Sequence, residues 1–315
     1  MLLDNSQITA KIDLGALLFK DKRLSSDGTI SCASCHQPDK AFADDLAVAE
    51  GIGGQQGVRN TPSLLNAAYM TTQFWDGRRE TLEDQAQDPL FNPIEHGLTG
   101  PQQALDLVRG DADYRQRFQQ VFNVSPAEIR MEHLAQAIAA FERTLLAGDS
   151  PFDRYQYGSD QQALTSAERE GLALFTGRAG CSGCHSIGED SALFTDNRFH
   201  RLGVGFKKIE SRLAEIARIY VSSADPAEQL SPLEISEMGR FVVTGKPADI
   251  GKFKTPSLRN VTLTAPYMHD GSVATLEEAV ELEIYYRSQE RARPLILTPV
   301  EKANLVAFLK ALTSP

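Results

Sequence analysis

Apolar residues recur at helical spacing over 102–122, 132–146, 166–175 and 299–312, and each stretch predicts an amphipathic helix. Two of them carry start signals. Thr165-Ser166-Ala167-Glu168 and Thr298-Pro299-Val300-Glu301 each place a capping threonine three residues ahead of a glutamate. Leu18-Phe19 and Leu174-Phe175 read as matching helix ends ahead of the cysteines. Alternating strand patterns are few, so the chain reads as mainly α. No apolar run approaches the roughly 20 residues that span a bilayer.

A second regularity is repetition. Thr61-Pro62-Ser63-Leu64 recurs as Thr255-Pro256-Ser257-Leu258. Without a gap, Asn66 then matches Asn260, Asp76-Gly77 matches Asp270-Gly271, and Thr81-Leu82-Glu83 matches Thr275-Leu276-Glu277. Each repeat follows a Cys-x-x-Cys-His motif, so the chain reads as an internal duplication. The spacing from the motif histidine to the threonine is longer in the second half, which implies an insertion at about 190–245. Turn-forming residues at 148–151 and 158–160 put the boundary between an N-terminal domain, 1–155, and a C-terminal domain, 156–315.

The cysteines bring in the chemistry. All four fall in the motifs Cys32-Ala33-Ser34-Cys35-His36 and Cys181-Ser182-Gly183-Cys184-His185. In this pattern the thiols add to haem vinyl groups and the histidine binds iron. Four cysteines could instead hold zinc, or form dithiol redox pairs. Neither alternative explains the histidine after both pairs. Two mainly α, cytochrome-c-like haem domains are therefore expected. Such haem attachment takes place on the outer face of the bacterial inner membrane. The opening residues lack a basic region and a long apolar stretch. A periplasmic protein is expected, its signal peptide outside this sequence.

Charge excludes one partner class. At 315 residues, 42% hydrophobic and 23% charged, the composition is that of a soluble globular chain, and its net charge of -10 argues against nucleic acid. An acidic surface suits a basic redox partner.

The two halves differ at telling positions. Before Asp-Gly the first half has Trp75, the only tryptophan, and the second has His269. A lone tryptophan reads as a core residue, but its place at the point of pseudo-symmetry suits a relay between haems. Gln85 and Glu95 follow at intervals of ten. A carboxylate can carry a proton between the oxygens of peroxide while an amide holds the leaving oxygen.

Both Cys-x-x-Cys-His motifs, RNTPSL, FWDGR, LFNPIEHG and FKTPSLRNVTLTAPYMHDGSVATLEEAV resemble the bacterial dihaem cytochrome c peroxidase superfamily, and within it the MauG-like branch. The resemblance spans nearly the whole chain. It implies a peroxide-reactive haem on His36 with Gln85 and Glu95 in its distal pocket, and an electron-transfer haem on His185. Trp75 becomes the hopping station. It also implies a calcium ion held by the Asn60 side chain, the carbonyls of Thr255 and Ser257, and waters.

Three departures accompany the resemblance. Conventional peroxidases carry a distal histidine between the haem motif and RNTP, but loop 37–58 has none, and Ile52 stands at the aligned place. The first haem is therefore expected to be five-coordinate and open. The sixth ligand of the second haem, Met or Tyr in the family, has no counterpart in Ser272-Val273-Ala274. Met268, Glu283, Tyr285, Tyr286 or water are the candidates. Finally, His96 follows Glu95 and either tunes its pKa or is structural. His133 and His200 read as structural.

Three functions compete. A MauG-type enzyme would use hydrogen peroxide to oxidise a partner protein at tryptophan, its two haems jointly holding two oxidising equivalents in a high-valent state. A conventional peroxidase would reduce hydrogen peroxide with electrons from a small cytochrome or cupredoxin. A plain dihaem electron carrier would catalyse nothing, and the Gln85/Glu95 pair argues against it.

Overall fold

Each Cys-x-x-Cys-His motif is anchored beneath a crossed helix pair. The structure, a computed structural model, describes residues 5–289 and 294–315. In the first half, helix α1 (Thr9–Lys20) crosses α4 (Met131–Glu142), with α2 (Pro101–Gly110) and α3 (Ala112–Phe122) alongside. In the second, α6 (Ser166–Thr176) crosses α9 (Pro299–Lys310), and α8 (Leu276–Gln289) packs on α9. A glycine makes each crossing close. A Cβ on Gly15 would lie 1.9 Å from the Ala137 carbonyl oxygen, and one on Gly171 would lie 2.0 Å from that of Asn304. Any other residue would force the helices apart.

The cores follow these pairs. Leu14, Leu18, Phe19, Phe118, Leu134 and Ile138 are buried together in the first half. Phe152, Phe175, Phe194, Leu305 and Phe308 form the second core, with their rings largely edge to face. The chain passes from the first core at Leu145 to the second at Phe152, on the short helix α5 (Pro151–Gln156). Arg259 bonds the Asp153 carboxylate, the Ser150 hydroxyl and the Ala192 carbonyl, and so ties α5 to the second repeat.

The expected helix 102–122 is two helices. The Asp111 side chain accepts from the backbone N–H groups of Asp113 and Tyr114, so it caps α3 and breaks the run. The helix expected over 132–146 ends at Glu142. Those over 166–175 and 299–312 form, and both start at the expected capping boxes. The sequence patterns did not reveal α7 (Leu213–Ser222) or the length of α8.

Residues 190–245 contain a third, small core of Ile209, Ile216, Ile219, Leu230, Met238 and Phe241. This unit lies over the Asp76-Gly77 turn. Arg240 donates to both of that turn's carbonyls at 2.9 and 2.7 Å, and Arg59 donates to the Ser236 hydroxyl at 2.8 Å. The single described sheet pairs β1 (Phe199–His200) with β2 (Phe253–Lys254), antiparallel.

Candidate functional site

In both motifs the histidine N–H bonds back to the carbonyl of the first cysteine, His36 to Cys32 at 2.9 Å and His185 to Cys181 at 3.0 Å. One turn thus collects both thiols and the imidazole. The ring is then oriented by a second carbonyl. Nδ1 of His36 donates to the Phe42 oxygen at 2.9 Å, and Nδ1 of His185 donates to the Phe194 oxygen at 2.8 Å. A carbonyl only accepts, so Nδ1 carries the proton and Nε2 keeps its lone pair for a metal. Both phenylalanines sit in the left-handed region, φ 59° and 53°. That conformation is costly for a bulky residue and here aims the carbonyl at the ring.

Burial keeps both imidazoles neutral, and lowers the pKa of His185 to about 4. Burial also pushes the thiols of Cys32 and Cys35 up to about 12. Among the described residues no metal-ligand cluster joins the two cysteine pairs. Instead both motifs border one cavity of about 940 Å³, whose walls include Cys35, His36, Cys181, Cys184 and His185. Thiols paired with a neutral imidazole at each end of a largely apolar cavity fit two covalent haems.

The same cavity collects most of the expected site residues. Gln85 ends the helical turn Leu82–Gln85, which Thr81 caps, and its Oε1 is buried without a hydrogen-bond partner. Glu95 is held by Asn92 Nδ2 at 2.7 Å. Burial raises the Glu95 pKa, Arg78 opposes that rise, and Asp88 adds to it. His96 is buried and donates from Nδ1 to the Leu24 carbonyl at 2.9 Å; burial lowers its pKa and keeps it neutral. Ile52 bonds through its N–H to the carbonyls of Ile94 and Glu95, so its loop lies beside the Glu95 peptide.

Trp75 lies in the cavity wall, partly exposed, and belongs to none of the hydrophobic cores. Its Nε1–H donates to the Asn60 carbonyl at 2.9 Å, and the Asn60 N–H donates to the His269 carbonyl at 2.9 Å. Trp75 and its counterpart His269 are thus joined through one residue, Asn60. Their side chains differ in setting. The His269 ring stacks on Phe253 at 3.7 Å, and its Nε2 meets buried Glu237 at 2.9 Å. Lys208 spans Glu237 and Asp270 at 3.2 and 2.7 Å.

The expected calcium ligands, Asn60, Thr255 and Ser257, share the cavity wall. The Asn60 amide donates to the Leu46 carbonyl at 2.9 Å, and the Ser257 hydroxyl turns away to the Leu193 carbonyl at 2.8 Å. Near the second motif, Met268 and Glu283 line the cavity. Of the other two candidates for the sixth ligand, Tyr285 is 58% exposed and Tyr286 packs against Gly203. His200 pairs with Asp196 at 2.7 Å and also borders the cavity beside Cys184. His133 accepts from the Arg130 N–H at 3.2 Å and stacks on Phe122 at 4.8 Å, a structural role. The carbonyls of Phe42 and Phe194 escaped sequence reasoning, since nothing in either side chain marks them.

A family model described as di-haem cytochrome c peroxidase matches residues 9–161. The cytochrome c551 peroxidase of Nitrosomonas europaea is 38% identical over 304 residues, covering 96% of this chain and 79% of its own. The methylamine utilization protein MauG of Methylorubrum extorquens is 36% identical over 313 residues, covering 96% and 78%. A solved MauG-like protein associated with microbial copper homeostasis superposes with TM-score 0.80 at 36% identity, over 100% of this chain and 92% of that one.

Proposed function

The chain belongs to the di-haem cytochrome c peroxidase family, and we propose that within it the protein works in the MauG manner. Hydrogen peroxide is the oxidant, and a partner protein, oxidised at tryptophan, is the source of electrons. The observation that carries this reading is loop 37–58, which has no histidine to close the first iron, with Ile52 packed beside the Glu95 peptide in its place. An enzyme open at rest needs no prior reduction to admit peroxide.

Bound haems supply storage for the two oxidising equivalents; the residues do the rest. Peroxide takes up two electrons and two protons to give two waters. Glu95 takes a proton from one peroxide oxygen and returns it to the other. Burial lifts its pKa toward the working pH, where a carboxyl can both accept and release a proton. The Gln85 amide steadies the departing oxygen. Trp75, bonded into both halves through Asn60, relays electrons along the cavity wall. The Asn60 side chain and the carbonyls of Thr255 and Ser257 would hold a calcium ion, which would stiffen that path. The site operates in the periplasm. No described helix is long and apolar enough to cross a membrane.

A conventional peroxidase, fed by a small cytochrome or cupredoxin, is the second reading, favoured by the relative in Nitrosomonas europaea. One experiment separates them. Stoichiometric peroxide added to the fully oxidised protein should give a long-lived state two equivalents above rest. Whole oxygen atoms, each supplied by a water as the tryptophan gives up two electrons and two protons, should then appear on the co-expressed partner, read by mass. Turnover that begins only after half-reduction would replace the proposal with the second reading.

A further inference from the structure

We propose that the Glu283 carboxylate is the sixth ligand of the second haem iron. The proposal rests on the two-haem reading and deepens it, since this ligand sets which oxidation state the resting protein prefers.

The argument starts from the backbone. The two repeats follow the same path. Asn66 and Asn260 are both left-handed, φ 60° and 55°, as are Phe74 and Met268, φ 67° and 73°. The Gly77 N–H bonds the Phe74 carbonyl at 3.2 Å, and the Gly271 N–H bonds the Met268 carbonyl at 3.3 Å. Thr81 and Thr275 then cap the next helix, accepting from Asp84 and Glu278 at 3.1 and 3.2 Å. In the first half that helix lasts one turn and ends at Gln85, which enters the cavity wall near His36. In the second half it continues as α8 for 14 residues.

The counterpart of Gln85 is Ala279, which also lines the cavity but has no donor atom. One turn further on the same face comes Glu283. Leu276, Ala279, Val280, Glu283, Ile284 and Arg287 line the cavity at helical spacing. Within this stripe Glu283 is the one side chain with a ligating oxygen; Arg287 supplies positive charge one turn later. Met268 corresponds instead to Phe74, beside the relay position rather than the distal turn. Tyr267, which also borders the cavity, packs against the second core. Tyr285 faces outward.

A carboxylate is a hard, anionic ligand that favours ferric over ferrous iron. A methionine at this place would do the reverse, since thioether ligation raises the potential. Glu283 therefore holds the second haem oxidised at rest, the state from which a MauG-type cycle begins.

The test uses the oxidised holoprotein without peroxide or partner, so it can fail while the peroxide reading stands. Glu283→Met should introduce the near-infrared thioether-to-iron band of a low-spin haem and raise the midpoint potential of the second haem, leaving the first unchanged. Glu283→Ala should alter the EPR and magnetic circular dichroism of the second haem alone, with two haems per chain verified by mass. Spectra and potential unchanged in Glu283→Ala would overturn the proposal. So would loss of the native signal in Met268→Leu or Tyr267→Phe with no change in Glu283→Ala.

Discussion

Trp75 donates its indole N–H to the carbonyl of Asn60 at 2.9 Å, so the proposed electron relay is bonded directly to the proposed calcium ligand. Asn60 in turn donates to the His269 carbonyl at 2.9 Å. One residue therefore couples the proposed relay and the proposed cation site to the second half of the molecule.

Replacing Trp75 by phenylalanine keeps a ring but removes this bond and the easily oxidised indole. Stability should fall by about 1 kcal/mol, the net value of one hydrogen bond. Peroxide should still be consumed, while oxidising equivalents stay at the first haem. Rapid-freeze EPR after peroxide addition checks this; normal sharing between the haems would remove Trp75 from the path.

Asn60→Ala leaves the backbone bonds to Trp75 and His269 in place but deletes the side-chain oxygen. Elemental analysis should find one calcium per wild-type chain and none in the variant. A chelator should slow transfer between the haems in the wild type and have no effect on the variant. Equal calcium in both proteins would rule out this site.

Glu95→Gln should slow the peroxide reaction by roughly 10²–10⁴-fold, the usual worth of a placed proton carrier. The pH profile gives an independent check. The ionised carboxylate accepts the first proton, and burial raises its pKa. Activity should therefore fall as pH drops through a value above the ordinary 4.5 of a glutamate. The variant should lose this acid limb, measured by stopped-flow across pH.

Glu142, at the end of α4, is fully buried, and burial lifts its pKa to about 8. The folded state thus holds a proton that the unfolded chain releases near 4.5. Stability should be highest below that range and decline by up to about 1.4 kcal/mol per pH unit as pH rises toward the folded value. Above it the decline should level off. Denaturant titrations of Glu142→Gln should show a flatter dependence between those limits; a slope equal to that of the wild type would mean Glu142 is ionised in the fold.

Arg259→Ala would strand the Asp153 carboxylate, with both side chains only 5% and 15% exposed. A loss of roughly 3–5 kcal/mol is expected, as for breaking a buried ion pair from one side. Arg259→Lys should recover little, because an ammonium cannot reach Asp153, Ser150 and Ala192 together. Chemical unfolding monitored through the haem band measures both.

The local chemistry was legible because it is written in contiguous residues. A Cys-x-x-Cys-His run closes on itself in one turn, and helix starts at Thr165 and Thr298 depend on a side chain three residues away. The split at Asp111 was missed because apolar spacing continues through it, while the capping bonds that break the helix are invisible to periodicity. The length of α8 was missed for the opposite reason. Its apolar face is interrupted by Glu283 and Arg287, so apolar spacing alone does not carry the helix past them.

By itself the sequence determined the family, the covalent haem attachment and the absence of a histidine in loop 37–58, since each depends on residue identity and short spacing. Only the tertiary structure decided what those residues face. The carbonyls of Phe42 and Phe194, the Trp75–Asn60–His269 chain and the exposure of Tyr285 all arise from burial and from bonds whose direction no side-chain type encodes. Backbone carbonyls are common to every residue; which one meets an imidazole is settled by the path of the fold.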